Sequence, residues 1–268
     1  MSPTADLSAI VITHNEQKNL ADCIASLAFC REIIVVDYAS TDETVTLARR
    51  LGCKVIQTPD WPGFGVQKQR ALLAASCSWV LSIDADERVT PQLQAAILGA
   101  LGASGPGRQV GPDNASGPSI FGYQINRQSF FLGHPMRFGG WSPDWILRLA
   151  YRQAAYFDSA LVHESLWVNG PKARLAGPLL HYSYPTIEDV LRKQATYALL
   201  GATKRSEKGR SHGVWVALAA GLAVFIRSLI LQLGFLDGRY GLLAAAARAQ
   251  ETFWKYAATR YLSTSKCS

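Results

Sequence analysis

The sequence holds little that could staple a fold. Five cysteines occur in 268 residues (Cys23, Cys30, Cys53, Cys77 and Cys267), an odd, scattered set with no C-x-x-C pair. That excludes a disulfide framework or a zinc knuckle as an organising device. The first residues, Met1-Ser2-Pro3-Thr4-Ala5-Asp6, carry no basic side chain and lead into no long apolar stretch. No secretory signal is therefore expected, and a reduced, cytoplasmic compartment is. Charge is sparse at 18%, and acids are the scarcer sign, 20 against 27 basic residues for a net +7. Low charge beside 49% hydrophobic residues excludes a disordered, collagenous or coiled-coil chain. Glycine is missing from Thr13-His14-Asn15-Glu16-Gln17, the first strand-to-helix loop. Without it the backbone cannot approach a pyrophosphate closely, which excludes NAD binding and Walker-type nucleotide binding. No internal repeat is visible.

What is present reads as an α/β protein. Apolar runs at Leu7–Thr13, Glu32–Asp37, Lys54–Gln57 and Trp79–Asp84 predict buried strands. Helical stretches lie between them. One carries Leu20, Ile24 and Leu27; a second opens on a capping box from Ser40 to Glu43 and ends at Gly52; a third covers Val66–Ala75. This alternation predicts a mostly parallel sheet with flanking helices, and ligands bind beyond the carboxyl ends of such strands. Gly102–Pro118, rich in glycine and proline, reads as a flexible loop, and its Asn114-Ala115-Ser116 is formally a glycosylation sequon without a secretory context. Ile120–His181 is aromatic-rich, with short strand-like runs.

The strongest chemical signal is the strand Trp79–Ile83 running into Asp84-Ala85-Asp86-Glu87. Two carboxylates one residue apart repel each other unless a cation sits between them and a bound anion. Their hard oxygens suit Mg²⁺ or Mn²⁺, with a diphosphate supplying further ligands. Asp37, ending the second strand, suits ribose or base. Lys68 and, more weakly, Arg148 are the expected diphosphate cations; Arg70, two residues from Lys68, cannot share its helix face. A phosphatase of the haloacid dehalogenase type is excluded, because Arg88 stands where a small Thr or Val is needed.

The C-terminal third differs. Leu191–Arg210 is helical and basic, with Arg192, Lys193, Lys204, Arg205, Lys208 and Arg210. The uncharged Val214–Ile226 follows, then Arg227 and the apolar Leu229–Leu236. This stretch is long enough to cross a bilayer at about 20 residues, but Arg227 would then sit near the midplane at about 2.5–3.5 kcal/mol. Lying in the interface lets Arg227 reach the headgroups while the basic segment meets anionic lipid. A buried core helix and a true span are the alternatives. The surplus charge and the mean hydropathy of +0.05 thus point to a membrane surface, not to nucleic acid.

AIVITHNE (Ala9–Glu16), IIVVDYASTDET (Ile33–Thr44), GFGVQKQRAL (Gly63–Leu72) and WVLSIDADE (Trp79–Glu87), in this order, resemble the family 2 inverting glycosyltransferases of the GT-A fold. VHESL (Val162–Leu166), LLHYSY (Leu179–Tyr184) and GFLDGRYG (Gly234–Gly241) are similar to the subgroup that transfers glucose β-1,4 onto heptose of the bacterial lipopolysaccharide inner core. The resemblance implies a Rossmann-like sheet and a UDP-hexose donor, probed by Thr13, Asn15, Glu16 and Asp37. It further implies that Asp84 meets the ribose or the metal and that Asp86 meets the metal, with His181 either a further metal ligand or a core histidine whose hydrogen bonds are satisfied. Tyr38-Ala39 departs from the two small residues usual in the family. Inverting transfer needs a carboxylate to take the acceptor proton; Glu164, steadied by His163, is the first candidate and Asp144 the second. The chain then divides into a donor half at 1–101, a loop at 102–118, an acceptor half at 119–185 and a membrane-associating helical region at 186–268. A polyprenyl phosphate acceptor is the alternative within this class, and a non-catalytic basic membrane-binding protein the alternative outside it.

Overall fold

A computed structural model describes residues 5–103, 120–158 and 165–264. Glu164, His163 and the Asn114 sequon lie outside the described residues, as does the expected loop beyond Ala103. The chain divides into two compact units. The first holds Met1–Arg127 and Asp144–His181, the second Gln128–Pro143 and Tyr182–Ser268. Gln128–Pro143 groups with the C-terminal helices. Gly102, expected to open the loop, instead lies in a helix that runs to Ala103.

The elements run β1 (Ala5–Thr13), α1 (Gln17–Ser26), β2 (Cys30–Tyr38), α2 (Thr44–Arg50), β3 (Lys54–Thr58), α3 (Phe64–Ala74), β4 (Trp79–Asp84), β5 (Glu87–Val89), α4 (Pro91–Ala103), β6 (Gly122–Phe131), β7 (His134–Pro135), β8 (Trp145–Tyr151), β9 (Ala155–Phe157), β10 (Leu166–Val168), β11 (Lys172–Tyr184), α5 (Ile187–Glu207), α6 (Val214–Ile226) and α7 (Gly238–Thr264). The order β3-β2-β1-β4 is parallel throughout, and β8, β6, β11 and β5 continue the sheet. β8 runs antiparallel to β4 and to β6, and β5 antiparallel to β11. Period-2 alternation sends Leu7, Ala9 and Val11 of β1 to one face, where they meet Leu20, Cys23 and Ile24 of α1 and Leu93 and Ile97 of α4. Ile10 faces the other way, among Ile34, Val36, Val80 and α3's Ala71 and Leu72. Each such leucine or isoleucine stabilises by about 1.5–3 kcal/mol, enough to fix the strand register.

One local expectation fails. The helix after β2 starts at Thr44, not at Ser40, and no side chain caps it. Ser40 is drawn instead to Asp37, to which both its hydroxyl and its N–H donate.

In the second unit, α5 is capped by Thr186, whose Oγ1 accepts the Asp189 N–H at 3.1 Å. α6 continues through a π-helical turn at Arg227–Leu231, and Gly221 lets α6 approach α7, since a Cβ there would stand 3.1 Å from the Ala249 carbonyl. Trp215, Leu218, Leu222, Ile226, Ile230 and Leu231 are exposed, and Ala217, Gly221 and Ser228 are its buried residues. Most of the apolar surface of this helix is thus uncovered within its own unit. The candidate span is the 18 residues Val214–Leu231, about 27 Å at 1.5 Å per residue.

Candidate active site

The loaded strand ends expected from sequence lie side by side. Thr13 and Asp37 are partners in the β1–β2 register, and the Thr13 hydroxyl donates to Asp37 Oδ1 at 2.8 Å. Asp37 is fully buried, and both its oxygens are taken up by Thr13 and Ser40. It therefore shapes the β1 and β2 end loops from within. Asn15, at φ +56°, donates its N–H to Ser40 Oγ and accepts the Thr41 N–H through Oδ1, both at 2.8 Å. The Glu16 N–H donates to Thr44 Oγ1, and its carboxylate accepts from Asn19. Around these loops runs a ladder of rings that was not expected: His14, Tyr38, Trp61 and Phe64, with successive centroids 5.4, 5.3 and 4.8 Å apart. Tyr38, the departure from family habit, is a rung of it.

Around the D-x-D turn the charges alternate in one connected chain. Lys68, buried on α3, places Nζ 2.9 Å from Asp84 Oδ1. Arg148, buried on β8, lies 2.6 Å from both Asp84 Oδ2 and Glu87 Oε1. Glu87, fully buried on β5, also accepts the Asp84 N–H at 2.9 Å. Arg127 stands 3.7 Å from Glu87 and donates to Asp144 Oδ2 at 2.8 and 2.9 Å. Asp144 in turn donates its N–H to Asn126 Oδ1 at 3.0 Å. Burial opposes ionisation of Asp84, but Arg148 and Lys68 outweigh it and hold the carboxyl well below its usual range. For Glu87 burial wins and raises the pKa, with Arg148 opposing. Arg148 Nε is buried with no hydrogen-bond partner among the described residues, a donor still lacking an acceptor. Arg70, by contrast, makes an exposed ion pair with Asp60 at 2.8 Å.

The three expected metal ligands are not brought together. Among the described residues no group of three or more His, Cys, Asp or Glu is placed to hold a metal. Asp84 is held by its two cations, whereas Asp86 Oδ2 and His181 Nε2 stand 3.4 Å apart. Two donors each about 2.0–2.2 Å from one ion would be separated by roughly that much. A carboxylate with an imidazole is also a donor set that suits Mn²⁺ better than Mg²⁺. The residues present thus fit a divalent ion at Asp86 and His181, provided a ligand supplies the remaining oxygens. Of the two candidate bases Asp144 is described, partly exposed and held by Arg127; Glu164 is not described. Glu87 and Arg127 were missed. The one sequence signal for Glu87 was its place directly after the D-x-D.

Fold and site define a class: an α/β enzyme with acids and cations gathered at the carboxyl ends of parallel strands. Residues 8–135 match the family described as glycosyl transferase family 2. The lipopolysaccharide core biosynthesis glycosyltransferase LpsC of Rhizobium meliloti is 31% identical over 222 residues, 78% of this chain and 75% of that protein. An uncharacterised glycosyltransferase of Rickettsia typhi is 28% identical over 267 residues, 96% of this chain and 87% of its own. Among solved structures, glucosyl-3-phosphoglycerate synthase from Mycobacterium tuberculosis in complex with Mn²⁺, UDP and phosphoglyceric acid is similar with a TM-score of 0.43 and 19% identity, covering 73% of this chain and 78% of that one. The chain belongs to glycosyl transferase family 2. It is a glycosyltransferase of GT-A architecture, which removes the non-catalytic alternative.

Proposed function

We propose that the protein is an inverting, metal-dependent hexosyltransferase that moves glucose from UDP-glucose to a heptose of the lipopolysaccharide inner core. The observation that carries this reading is the Asp86–His181 pair beside the Lys68–Asp84–Arg148 cluster at a parallel strand end. The name of the Rhizobium relative supports the acceptor class. A divalent ion at Asp86 and His181 would supply Lewis-acid chemistry to the departing diphosphate. Lys68 and Arg148 are the chain's own cations for that diphosphate, already desolvated and oriented by Asp84 and Glu87. Asp144, steadied by Arg127, or Glu164 takes the proton of the acceptor hydroxyl. The acceptor oxygen bonds to the anomeric carbon as the bond to the diphosphate breaks. Its electron pair leaves with UDP and the configuration inverts.

The same proposal places the enzyme at the cytoplasmic face of the inner membrane, peripherally bound. Support comes from the exposed apolar side of α6 and from α5, which carries Arg192, Lys193, Lys204 and Arg205.

UDP release from UDP-glucose with a truncated-core acceptor tests the reaction. Asp86→Ala is expected to lower it by roughly 100-fold or more, and excess EDTA should abolish it. Full activity under either condition would overturn the mechanism. Thermal stabilisation by UDP-glucose with Mn²⁺ is expected to exceed that by GDP-mannose; the reverse order would sink the donor assignment.

A further inference from the structure

The motif Gly234–Gly241 has no part in the reaction described above, yet it holds one loop of the second unit rigid. That segment, Gln128–Pro143, holds the end of β6 and all of β7, and lies in the chain between Arg127 and Asp144, the ion pair that ends the charge chain of the site. Phe131 and Met136 bury its inner side with Val190 and Ala244. Asp237, almost fully buried, accepts the N–H of Arg137 at 3.1 Å and of Phe138 at 2.9 Å. The next residue, Gly139, donates to the Gln232 carbonyl at 2.8 Å, and its own carbonyl accepts from Arg248 at 2.6 Å and Ser228 at 3.1 Å. Gly140 holds a left-handed φ of +77°, which other residues rarely adopt. Gly241 packs directly on the Gly234 carbonyl, and a Cβ at Gly234 would stand 2.5 Å from the Ser228 carbonyl, so these two of the motif's three glycines leave no room for a side chain.

All this fixes the backbone under one exposed side chain. The Arg137 guanidinium has no hydrogen bond or ion pair among the described residues, although Asp237 lies against its own N–H. A second guanidinium, Arg239, two residues beyond Asp237, is spread over the Tyr240 ring at 5.0 Å, and that ring stacks on His134 at 4.5 Å. Ordering a loop this tightly costs conformational entropy, and a long cation left unpaired on it gains nothing for folding. Preorganised arginine forks match the two oxygens of a phosphate or carboxylate.

We infer that the Asp237-clamped loop is an anion-recognition site in which Arg137 binds a phosphate carried by the glycan acceptor. The inference rests on the proposed acceptor for the identity of the glycan, but not for the anion. Two probes decide it by calorimetry on the intact chain: a deacylated, phosphorylated core oligosaccharide and the same material treated with phosphatase. The wild type is expected to bind the phosphorylated form at least tenfold more tightly. Arg137→Gln should abolish that preference, Arg137→Lys should restore part of it, and Asp237→Asn should weaken it by loosening the loop. UDP affinity, measured in parallel, reports that each variant is folded. Equal affinity of the wild type for both probes, no binding of either, or a preference retained in Arg137→Gln would overturn the inference. So would a loss confined to cosedimentation with phosphatidylglycerol vesicles, which would assign Arg137 to lipid. Glucose transfer by the same wild-type preparation reports separately on the proposed reaction, so the two readings fail independently.

Discussion

Lys68 and Arg70 stand two positions apart on α3, and the structure gives them opposite surroundings. The Lys68 side chain is 5% exposed and ion-paired to Asp84, while that of Arg70 is 35% exposed and paired to Asp60 at the surface. Removing one member of a buried pair leaves an uncompensated charge, at about 3–5 kcal/mol, whereas an exposed pair is worth about 0–1 kcal/mol. Lys68→Met is therefore expected to lower the urea midpoint sharply and to weaken UDP binding. Arg70→Ala should leave both nearly unchanged; comparable losses in the two variants would contradict the assignment. Glu87 completes the picture at this scale. It has no solvent contact, so burial pushes its pKa up, and the Arg148 guanidinium beside it opposes that shift.

Elements are held by their ends and their buried faces. α5 has a side-chain cap at Thr186, whereas α2 has none because Ser40 was taken by Asp37. A strand-end acid competing for a loop hydroxyl can thus override a capping pattern. α7 carries a second ionisable group in an unfavourable place. Glu251 is partly buried, and burial raises its pKa against the opposing charges of Lys255 and Arg248. Its folded pKa lies above the unfolded value of about 4.3, so its contribution is fully favourable only below that pH and is lost as pH rises through the folded value. Glu251→Gln is accordingly expected to raise Tm at pH 7, by up to about 2–4 °C if the gain reaches one kcal/mol. No difference should remain near pH 4. An equal gain at both pH values would show that charge is not the cause.

At the scale of the whole molecule, the net +7 and the apolar surplus converge on the second unit, where α5 is basic and α6 exposes Trp215, Leu218 and Leu222. A leucine buried in lipid is worth about 1.5–3 kcal/mol. Replacing Leu218 and Leu222 together by Glu should lower partition onto phosphatidylglycerol vesicles by roughly tenfold or more, and added salt should weaken the wild type's binding. Unchanged cosedimentation would dismiss the membrane surface. The parallel half of the sheet was legible in the sequence almost to the residue, because strands buried on both faces must be apolar runs and β1, β2 and β4 carry such runs, while the edge strand β3 shows a shorter one. The strand-end positions of Thr13, Asp37 and Asp84 followed from that local pattern. What the local pattern could not hold was the choice of partners. Asp84 meets Arg148 across 64 residues, Glu87 meets Arg148 across 61, and Asp237 meets Phe138 across 99. A charge states in sequence only that it needs a counter-charge; which one it finds depends on how distant segments pack. By itself the sequence determined the class of the enzyme and where its chemistry would gather. Only the tertiary structure decided that Asp84 is held by cations while Asp86 faces His181, and that Gly234–Gly241 clamps the loop bearing Arg137.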